Sequence, residues 1–400
     1  MLTIAYILFF FSLLCLLHSY VFFPAILAVL AANRKQNQDT YPLEHEILPT
    51  VSILLAAYNE ERVIEQKIQS TLKTSYPLYK IEFLIGSDAS TDNTNMIIRK
   101  YNLTYPNIKL VEFAGRTGKA GIINQLAEKA QNEILILTDA NVFFREDTIY
   151  NLVKHYKNPE IALVGGNILN KRFKKDGISI QEKSYLSREN LIKYQEGIVW
   201  GTMIGAFGGC YSMRRDYYAP VPPRFFMDDF YITMNVLEKG KKAINELDAI
   251  CYEDVSNRVK EEFRRKVRIS IGNFQNLSRY YGLLWLPFTG LAFSFLSHKV
   301  LRWLGPFFLL LMLITSYFMM MGSDDSNILQ TSLLVTLFGF QYSLLYVPLI
   351  DWALKKLNLH IFWLRFVSHF YLMNLALLVG FFKFIRGVKS NIWKPTQRYQ

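Results

Sequence analysis

Hydrophobic positions along the chain follow three regimes. From Met1 to Ala32 there is no charged side chain apart from His18 when it is protonated. At ~1.5 Å rise per residue a helix of that length exceeds the ~30 Å hydrocarbon core of a bilayer, so it predicts a transmembrane anchor. The segment lacks the basic start and short apolar core of a cleaved leader, which favours a retained anchor. From about residue 49 to 255, short apolar runs alternate with amphipathic stretches. After Tyr281 long apolar segments return, at Leu283 to Leu296, Leu304 to Met321, Ile328 to Ile350 and Ile361 to Phe382.

The middle regime reads as repeated strand and helix. Thr50 to Ala57, Ile81 to Ser87, Ile108 to Phe113 and Ile134 to Asn141 are apolar runs that suit strands covered on both faces. Helices are expected from Tyr58–Glu61 to about Lys73, from Asn93 to about Leu103, and from Ala120 to Gln131. Short connections between alternating elements predict an α/β fold with a mostly parallel, doubly wound sheet, whose ligands bind beyond the carboxyl ends of the strands. Those ends deliver Tyr58, Asn59 and Glu60, then Asp88, then Arg116 and Lys119 between glycines, then Asp139 and Asn141.

A nucleoside diphosphate suits such a rim. A carboxylate accepts hydrogen bonds from a base or ribose, cations beside glycines meet phosphate oxygens, and two oxygen side chains at i and i+2 hold a divalent cation. Each residue also has a plainer reading. Asp88 and Asp139 are good helix caps, and Arg116 and Lys119 are ordinary loop charges. Agreement among four strand ends favours a site.

Further on, Ile161 to Leu169 predicts a strand and Ile180 to Trp200 a helix. Gly205 to Met213 (GAFGGCYSM) reads as a glycine-weakened strand that a ligand can approach closely. Asp228 and Asp229 open a helix running through Glu238, with Gly240 as its stop; two acidic residues there also favour the helix dipole. Arg258 to about Tyr280 is amphipathic, with Phe263, Val267, Ile271 and Phe274 on one face and Arg264, Arg265, Lys266 and Arg268 around another, as expected of a helix at a membrane surface.

Composition adds to this picture without redrawing it. The 400 residues are 51% hydrophobic and 15% aromatic, too apolar for a wholly globular chain. The net charge of +12 sits beside the hydrophobic segments and in a few loops, which points to anionic lipid rather than nucleic acid. Arg34 and Lys35 after the first apolar segment place the strand-and-helix region on the cytoplasmic side, and the acidic stretch Gly322 to Asn327 is the candidate outer loop. With every basic loop inside, Leu304–Met321 and Ile328–Ile350 form a hairpin and Leu283 to Leu296, cut by Pro287, lies in the interface; if that segment spans, four C-terminal crossings result. The three cysteines, Cys15, Cys210 and Cys251, have no disulfide or zinc spacing.

The ordered set AAYNEE (Ala56 to Glu61), GSDASTDNT (Gly86 to Thr94), RTGKAGIIN (Arg116 to Asn124) and TDAN (Thr138 to Asn141) resembles the family 2 glycosyltransferases of GT-A-type fold, in particular the membrane-embedded cellulose and hyaluronan synthase branch. The resemblance covers about residues 49 to 275. It implies a GT-A-type nucleotide-sugar-binding domain at 49–255, an anchor at 1–35, amphipathic or interfacial helices at 256–297, and a C-terminal transmembrane region with a basic tail at 298–400.

By the same resemblance Ala56, Tyr58, Glu60 and Asp88 line the nucleoside side of the donor, Arg116 and Lys119 its diphosphate, and Asp139 with Asn141 a Mg²⁺ or Mn²⁺ ion. Asn141 stands where the family has a second aspartate. Gly208, Gly209 and Cys210 fall near the acceptor. Asp229 takes the place of the catalytic base with Asp228 beside it, and Arg268 retains the arginine of a Gln-x-x-Arg-Trp motif whose tryptophan is here Ile269. The implied activity is inverting transfer from a nucleotide-diphosphate sugar, UDP ahead of GDP, to a cell-surface polysaccharide or glycolipid, by an integral protein of a bacterial inner membrane with a cytoplasmic catalytic domain. A single transfer to a lipid-linked acceptor is the alternative within the enzyme class. A non-enzymatic nucleotide-sugar-sensing or channel subunit is the alternative outside it.

Overall fold

The computed structural model describes residues 2–44, 46–170, 179–253, 259–285, 289–322, 328–357, 359 and 361–388. The acidic loop, Pro287 and the basic tail therefore fall wholly or largely outside the described residues. The chain divides into two compact units, one of Leu27–Glu261 and Gln275–Ser294, the other of Met1–Ile26, Glu262–Phe274 and Phe295–Gly387.

The N-terminal apolar stretch is helical throughout, as α1 (Leu2–Leu17), a wider π turn (His18–Phe22) and α2 (Phe23–Ala31). Its 30 residues, Leu2–Ala31, are long and apolar enough to cross a bilayer.

The larger unit is built on an eight-stranded mixed sheet in the order β3-β2-β1-β4-β7-β6-β8-β5. Its first half is parallel: β1 (Val51–Ala57), β2 (Ile81–Ser87), β3 (Ile108–Glu112) and β4 (Ile134–Asp139). All seven residues of β1 and of β2 are buried, which is why those strands read as mostly apolar; the buried interior exceptions Ser52 and Glu82 hydrogen-bond each other, Ser52 Oγ donating to Glu82 Oε2 at 2.7 Å. Three helices cross between these strands, α3 (Ile64–Leu72), α4 (Thr94–Thr104) and α5 (Lys119–Lys129).

After β4 the chain adds the short β5 (Val142–Phe144), α6 (Thr148–Val153), β6 (Ile161–Asn170), α7 (Ser179–Trp200), β7 (Cys210–Arg214), α8 (Asp228–Glu238) and β8 (Lys242–Glu253). β7 runs antiparallel to both β4 and β6, and β5 antiparallel to β8. These reversals bring chain segments from far downstream alongside the end of β4.

Helix α9 (Val259–Tyr280) contributes to both units. In the smaller unit its apolar face packs against α15 (Phe362–Ile385): Phe274 meets Phe381 with ring centroids 5.0 Å apart, and Ser270 Oγ donates to Leu377 O at 2.8 Å. A side chain on Gly380 would strike Ser270, so glycine permits this close approach. The expected amphipathic helix thus buries Val267 and Phe274 against protein, while Arg264 and Arg268 are exposed.

The remaining elements are α10 (Gly290–Ser294), α11 (Leu301–Trp303), α12 (Gly305–Met321), α13 (Ile328–Leu344) and α14 (Val347–Lys356). Among the described residues α15 is the second helix long and apolar enough to cross a bilayer. Two bent pairs, Gly290–Trp303 with Gly305–Met321 at 61° and Ile328–Leu344 with Val347–Lys356 at 44°, raise the candidates to four if each pair is one span. Leu283 to Leu296 is no single helix: it breaks into a 3₁₀ turn ending at Trp285 and the start of the first bent pair.

Candidate active site

Four strand ends meet at one rim of the sheet, as the alternation of elements requires. At the end of β1 the chain does not enter a helix at Tyr58, as expected, but spends six residues in a loop before α3. Asn59 adopts a left-handed backbone (φ 53°), as does Ala89 after β2 (φ 55°), a conformation that costs non-glycine residues energy and recurs at binding sites. The two loops are laced together: Asn59 Oδ1 accepts from Thr91 N at 2.8 Å, and Glu60 N donates to Thr94 Oγ1 at 2.8 Å. Ala56 is buried in β1, in register with Gly86 and Asp139.

Asp88, expected to face a nucleoside, is fully buried. Its carboxylate accepts from Arg116 Nε at 3.0 Å, from Gly118 N at 3.1 Å and from Thr117 N. It thereby pins the loop that opens α5, where Gly118 takes a φ of 82°. The Arg116 guanidinium lies over the Tyr58 ring, 3.2 Å from its centroid, so Tyr58, Asp88 and Arg116 form one stacked and hydrogen-bonded group.

The first residue of α5 reaches across the rim. Lys119 Nζ stands 2.8 Å from Asp139 Oδ1, 3.8 Å from Asp228 Oδ2 and 3.3 Å from Gly208 O. Burial works against its charge, but Asp139, Asp228 and Asp229 outweigh burial and hold the ammonium protonated above its ordinary range.

Asp139 ends β4 with its side chain one-third exposed, and its backbone N–H donates to Gly209 O at 3.3 Å. Beneath it lies Lys67 of α3, fully buried, donating to Thr138 Oγ1 at 2.9 Å and Val142 O at 2.6 Å, with Nζ 3.5 Å from the Phe144 ring centroid. Burial pushes its pKa down to about 8. Nothing in the sequence around Lys67 marks it, since a lysine in an amphipathic helix ordinarily faces water.

Asp228 and Asp229 begin α8 behind Met227, whose left-handed backbone (φ 56°) turns the chain into the helix. Asp229 is buried and accepts from Phe230 N at 2.8 Å. Burial first, and then the charge of Asp228, raise its carboxyl to about 6 against the opposing pull of Lys119. Gly208 lies against it: a Cβ there would come within 2.8 Å of Asp229 Oδ2. A Cβ on Gly209 would strike Val142 and Ile168 at 2.9 and 3.0 Å.

Of the three residues expected near an acceptor, Gly208 and Gly209 thus border the carboxylates, while Cys210 is fully buried. It begins β7, with Sγ 2.8 Å from Cys251 Sγ, both thiols free. Two cysteines far apart in sequence meet here, and a Cβ on Gly166 of β6 would come within 3.0 Å of Cys210 Sγ. Arg268 lies exposed on α9, within the other unit.

Oxygen donors around Asp139 suit a hard divalent cation. Asp139 offers a carboxylate and Asn141 an amide, with the Lys119 ammonium already standing at Asp139 as a cation in place. Among the described residues no group of three His, Cys, Asp or Glu side chains gathers to hold a metal ion. Two oxygen side chains alone would leave most of a divalent cation's shell to other ligands.

Residues 52–219 match the model of glycosyl transferase family 2. The middle of the chain is a family 2 glycosyl transferase domain. Among curated relatives, a poly-β-1,6-N-acetyl-D-glucosamine synthase of Staphylococcus epidermidis is 31% identical over 125 residues, 31% of this chain and 30% of that protein. A β-monoglucosyldiacylglycerol synthase of Nostoc sp. is 32% identical over 119 residues, 29% of this chain and 25% of that protein. The matches span less than a third of either relative. A mannosyltransferase from Pyrobaculum calidifontis, solved in complex with GDP-Man and Mn²⁺, superposes with a TM-score of 0.67 over 94% of this chain and 99% of its own, at 20% identity. The fold of this chain is GT-A-like, with apolar helices on both sides of the domain in sequence.

Proposed function

We propose that the protein is a membrane-bound inverting glycosyltransferase that moves a sugar from a nucleotide-diphosphate sugar to a growing glycan or glycolipid. The observation that carries this reading is the reach of one side chain. Lys119 contacts the donor-side carboxylate Asp139 and also Asp228, the neighbour of the candidate base Asp229, so one side chain links the group for leaving-group stabilisation to the start of the helix that carries the base.

In this reading the nucleoside packs on the Tyr58 side of the rim, and Arg116 and Lys119 meet the diphosphate. Asp139 and Asn141 hold a divalent cation, Mg²⁺ or Mn²⁺, which when bound offsets diphosphate charge. Asp229 takes the proton from an acceptor hydroxyl as its oxygen bonds to the anomeric carbon, while the bond to the nucleoside diphosphate breaks on the opposite face. Burial gives Asp229 a carboxyl of about 6, basic enough for that role yet ionised at neutral pH. The relatives that make a polysaccharide and a glycolipid support both acceptor classes. Ile269, where the synthases have tryptophan, favours a single transfer to a lipid-linked acceptor over long processive synthesis.

The apolar helices Leu2–Ala31 and Phe362–Ile385 support membrane residence, and Arg34 and Lys35 support a cytoplasmic catalytic domain. The test is a panel of radiolabelled UDP and GDP sugars offered to the purified full-length protein in lipid nanodiscs with Mn²⁺. Sugar transfer or donor hydrolysis with one of them, lost in Asp139→Ala, is expected. Nucleotide binding without turnover of any donor would favour a sensing or channel subunit instead.

A further inference from the structure

The TDAN segment carries one carboxylate where the resembling family carries two, and the sheet brings another alongside it. β5 begins directly after Asn141 and pairs antiparallel with the end of β8, with Val142 in register with Glu253. That register puts Glu253, 112 residues away in sequence, beside Asn141, whose Nδ2 donates to Glu253 Oε1 at 3.1 Å. We propose that Glu253 is the second carboxylate of the cation site, replacing in space the charge that Asn141 lacks in sequence. This rests on the donor-site reading of Asp139 and Asn141.

Donor chemistry sets the orientation of the pair. An ionised carboxylate only accepts hydrogen bonds, so the Asn141 amide must turn its NH₂ toward Glu253, which leaves Oδ1 as the face available to a cation. Asn141 is 7% exposed, so its amide is held in that orientation rather than free to flip in solvent. If the contact served only to tie β5 to β8, an amide at 253 would do as well, and the strands are already joined by their backbone ladder. A carboxylate adds negative charge beside Asn141, two residues along the chain from Asp139. Asp139, Asn141 Oδ1 and Glu253 together make an all-oxygen set with two charges, which suits Mn²⁺ or Mg²⁺ with water and diphosphate completing the shell.

The experiment moves the charge between the two positions. Mn²⁺ is titrated by electron paramagnetic resonance into the full-length protein in nanodiscs with saturating UDP and, separately, GDP, for the unmutated chain, Glu253→Gln, and Asn141→Asp with Glu253→Gln. Thermal melts accompany each. Glu253→Gln keeps an acceptor for the Asn141 amide and removes only charge, so its Mn²⁺ affinity is expected to fall about tenfold, the scale of one lost charged oxygen contact. The double variant restores one carboxylate and one amide with their places exchanged, and is expected to return to within about threefold of the unmutated protein.

Unchanged Mn²⁺ affinity in Glu253→Gln, with Asp139→Ala still abolishing it, would overturn the proposal while leaving the donor site in place. A double variant that melts normally yet stays as weak as Glu253→Gln would overturn it as well. Nucleotide binding by the unmutated protein that ignores Mn²⁺ would overturn the donor-site reading itself.

Discussion

Lys119 Nζ lies 2.8 Å from Asp139 Oδ1, so the residue that opens α5 is ion-paired to the residue that ends β4. The pair places a protein cation where a diphosphate and a divalent ion are expected to bring opposite charges of their own. Binding of a donor must therefore share or rearrange this contact, and the consequences are measurable.

Lys119→Met removes a partner of the diphosphate and a competitor of the metal at once. Nucleoside diphosphate affinity is expected to fall by about tenfold or more, the scale of one charge-assisted hydrogen bond. Mn²⁺ affinity without nucleotide is expected to rise. Isothermal titration calorimetry of each ligand alone separates the two, and a fall in both affinities would show that Lys119 supports the metal site instead of competing with it.

Asp229→Asn keeps size and helix position while removing basicity. Transfer is expected to fall by ~10² or more with nucleotide affinity retained, as for loss of a general base. Asp228→Asn is expected to be milder. Because burial raises the Asp229 carboxyl to about 6, kcat/KM of the unmutated enzyme should climb as pH rises through about 6 and level off above it. A profile flat from about pH 5 to 7.5, or full activity in Asp229→Asn, would place the base elsewhere.

Gly208→Ala tests the packing behind that base. The added Cβ would lie 2.8 Å from Asp229 Oδ2, closer than contact allows, so the carboxylate must shift. Transfer is expected to fall by roughly 10 to 10², since displacement of about 1 Å at a reacting group costs that much. Nucleotide binding and the melting temperature should change little; if binding is lost in step, Gly208 shapes the donor site as well.

Lys67 makes a prediction about stability. Its folded pKa of about 8 lies below the ordinary lysine value of 10.5, so between those values the unfolded chain holds the extra proton and stability rises with pH. The cost of burying the charge is therefore complete below pH 8 and relieved toward 10.5, by ~1.4 kcal/mol per unit or roughly 3 kcal/mol in all. Lys67→Met lacks this dependence. The stability of the unmutated protein relative to Lys67→Met should rise from about pH 8 to 10 in denaturant titrations, and a constant difference would mean the ammonium is not desolvated.

The parallel half of the sheet is legible in the sequence because strands buried on both faces leave mostly apolar runs; Ile81 to Ser87, broken within only by Glu82, coincides with β2 at both ends. The loops are less so. Tyr58–Glu61 reads as a helix start, yet its polar groups are committed to Ser90, Thr91 and Asp92 of the neighbouring loop and to Thr94 at the start of α4, which delays α3 to Ile64. Gly205 to Gly209 reads as part of a strand, but close packing against Phe230 and Asp229 holds these glycines in a loop and β7 starts only at Cys210. Asp88 is legible as a candidate at a strand end but its partners are not, because the hydrogen bonds from Arg116, Thr117 and Gly118 come from a different strand end. Glu253, Lys67 and the Cys210–Cys251 contact leave no local trace, since each depends on strand register or helix docking between distant segments.

The central claim is that this rim binds a nucleotide-diphosphate sugar through a divalent cation held at Asp139. Its most direct test is calorimetric titration of UDP and of GDP into the full-length protein, with Mn²⁺ and with chelator, for the unmutated chain and Asp139→Ala. The predicted result is affinity for at least one nucleotide that requires Mn²⁺ and disappears in Asp139→Ala while the melting temperature is kept. Affinity equal with and without Mn²⁺, or equal in Asp139→Ala, would contradict it.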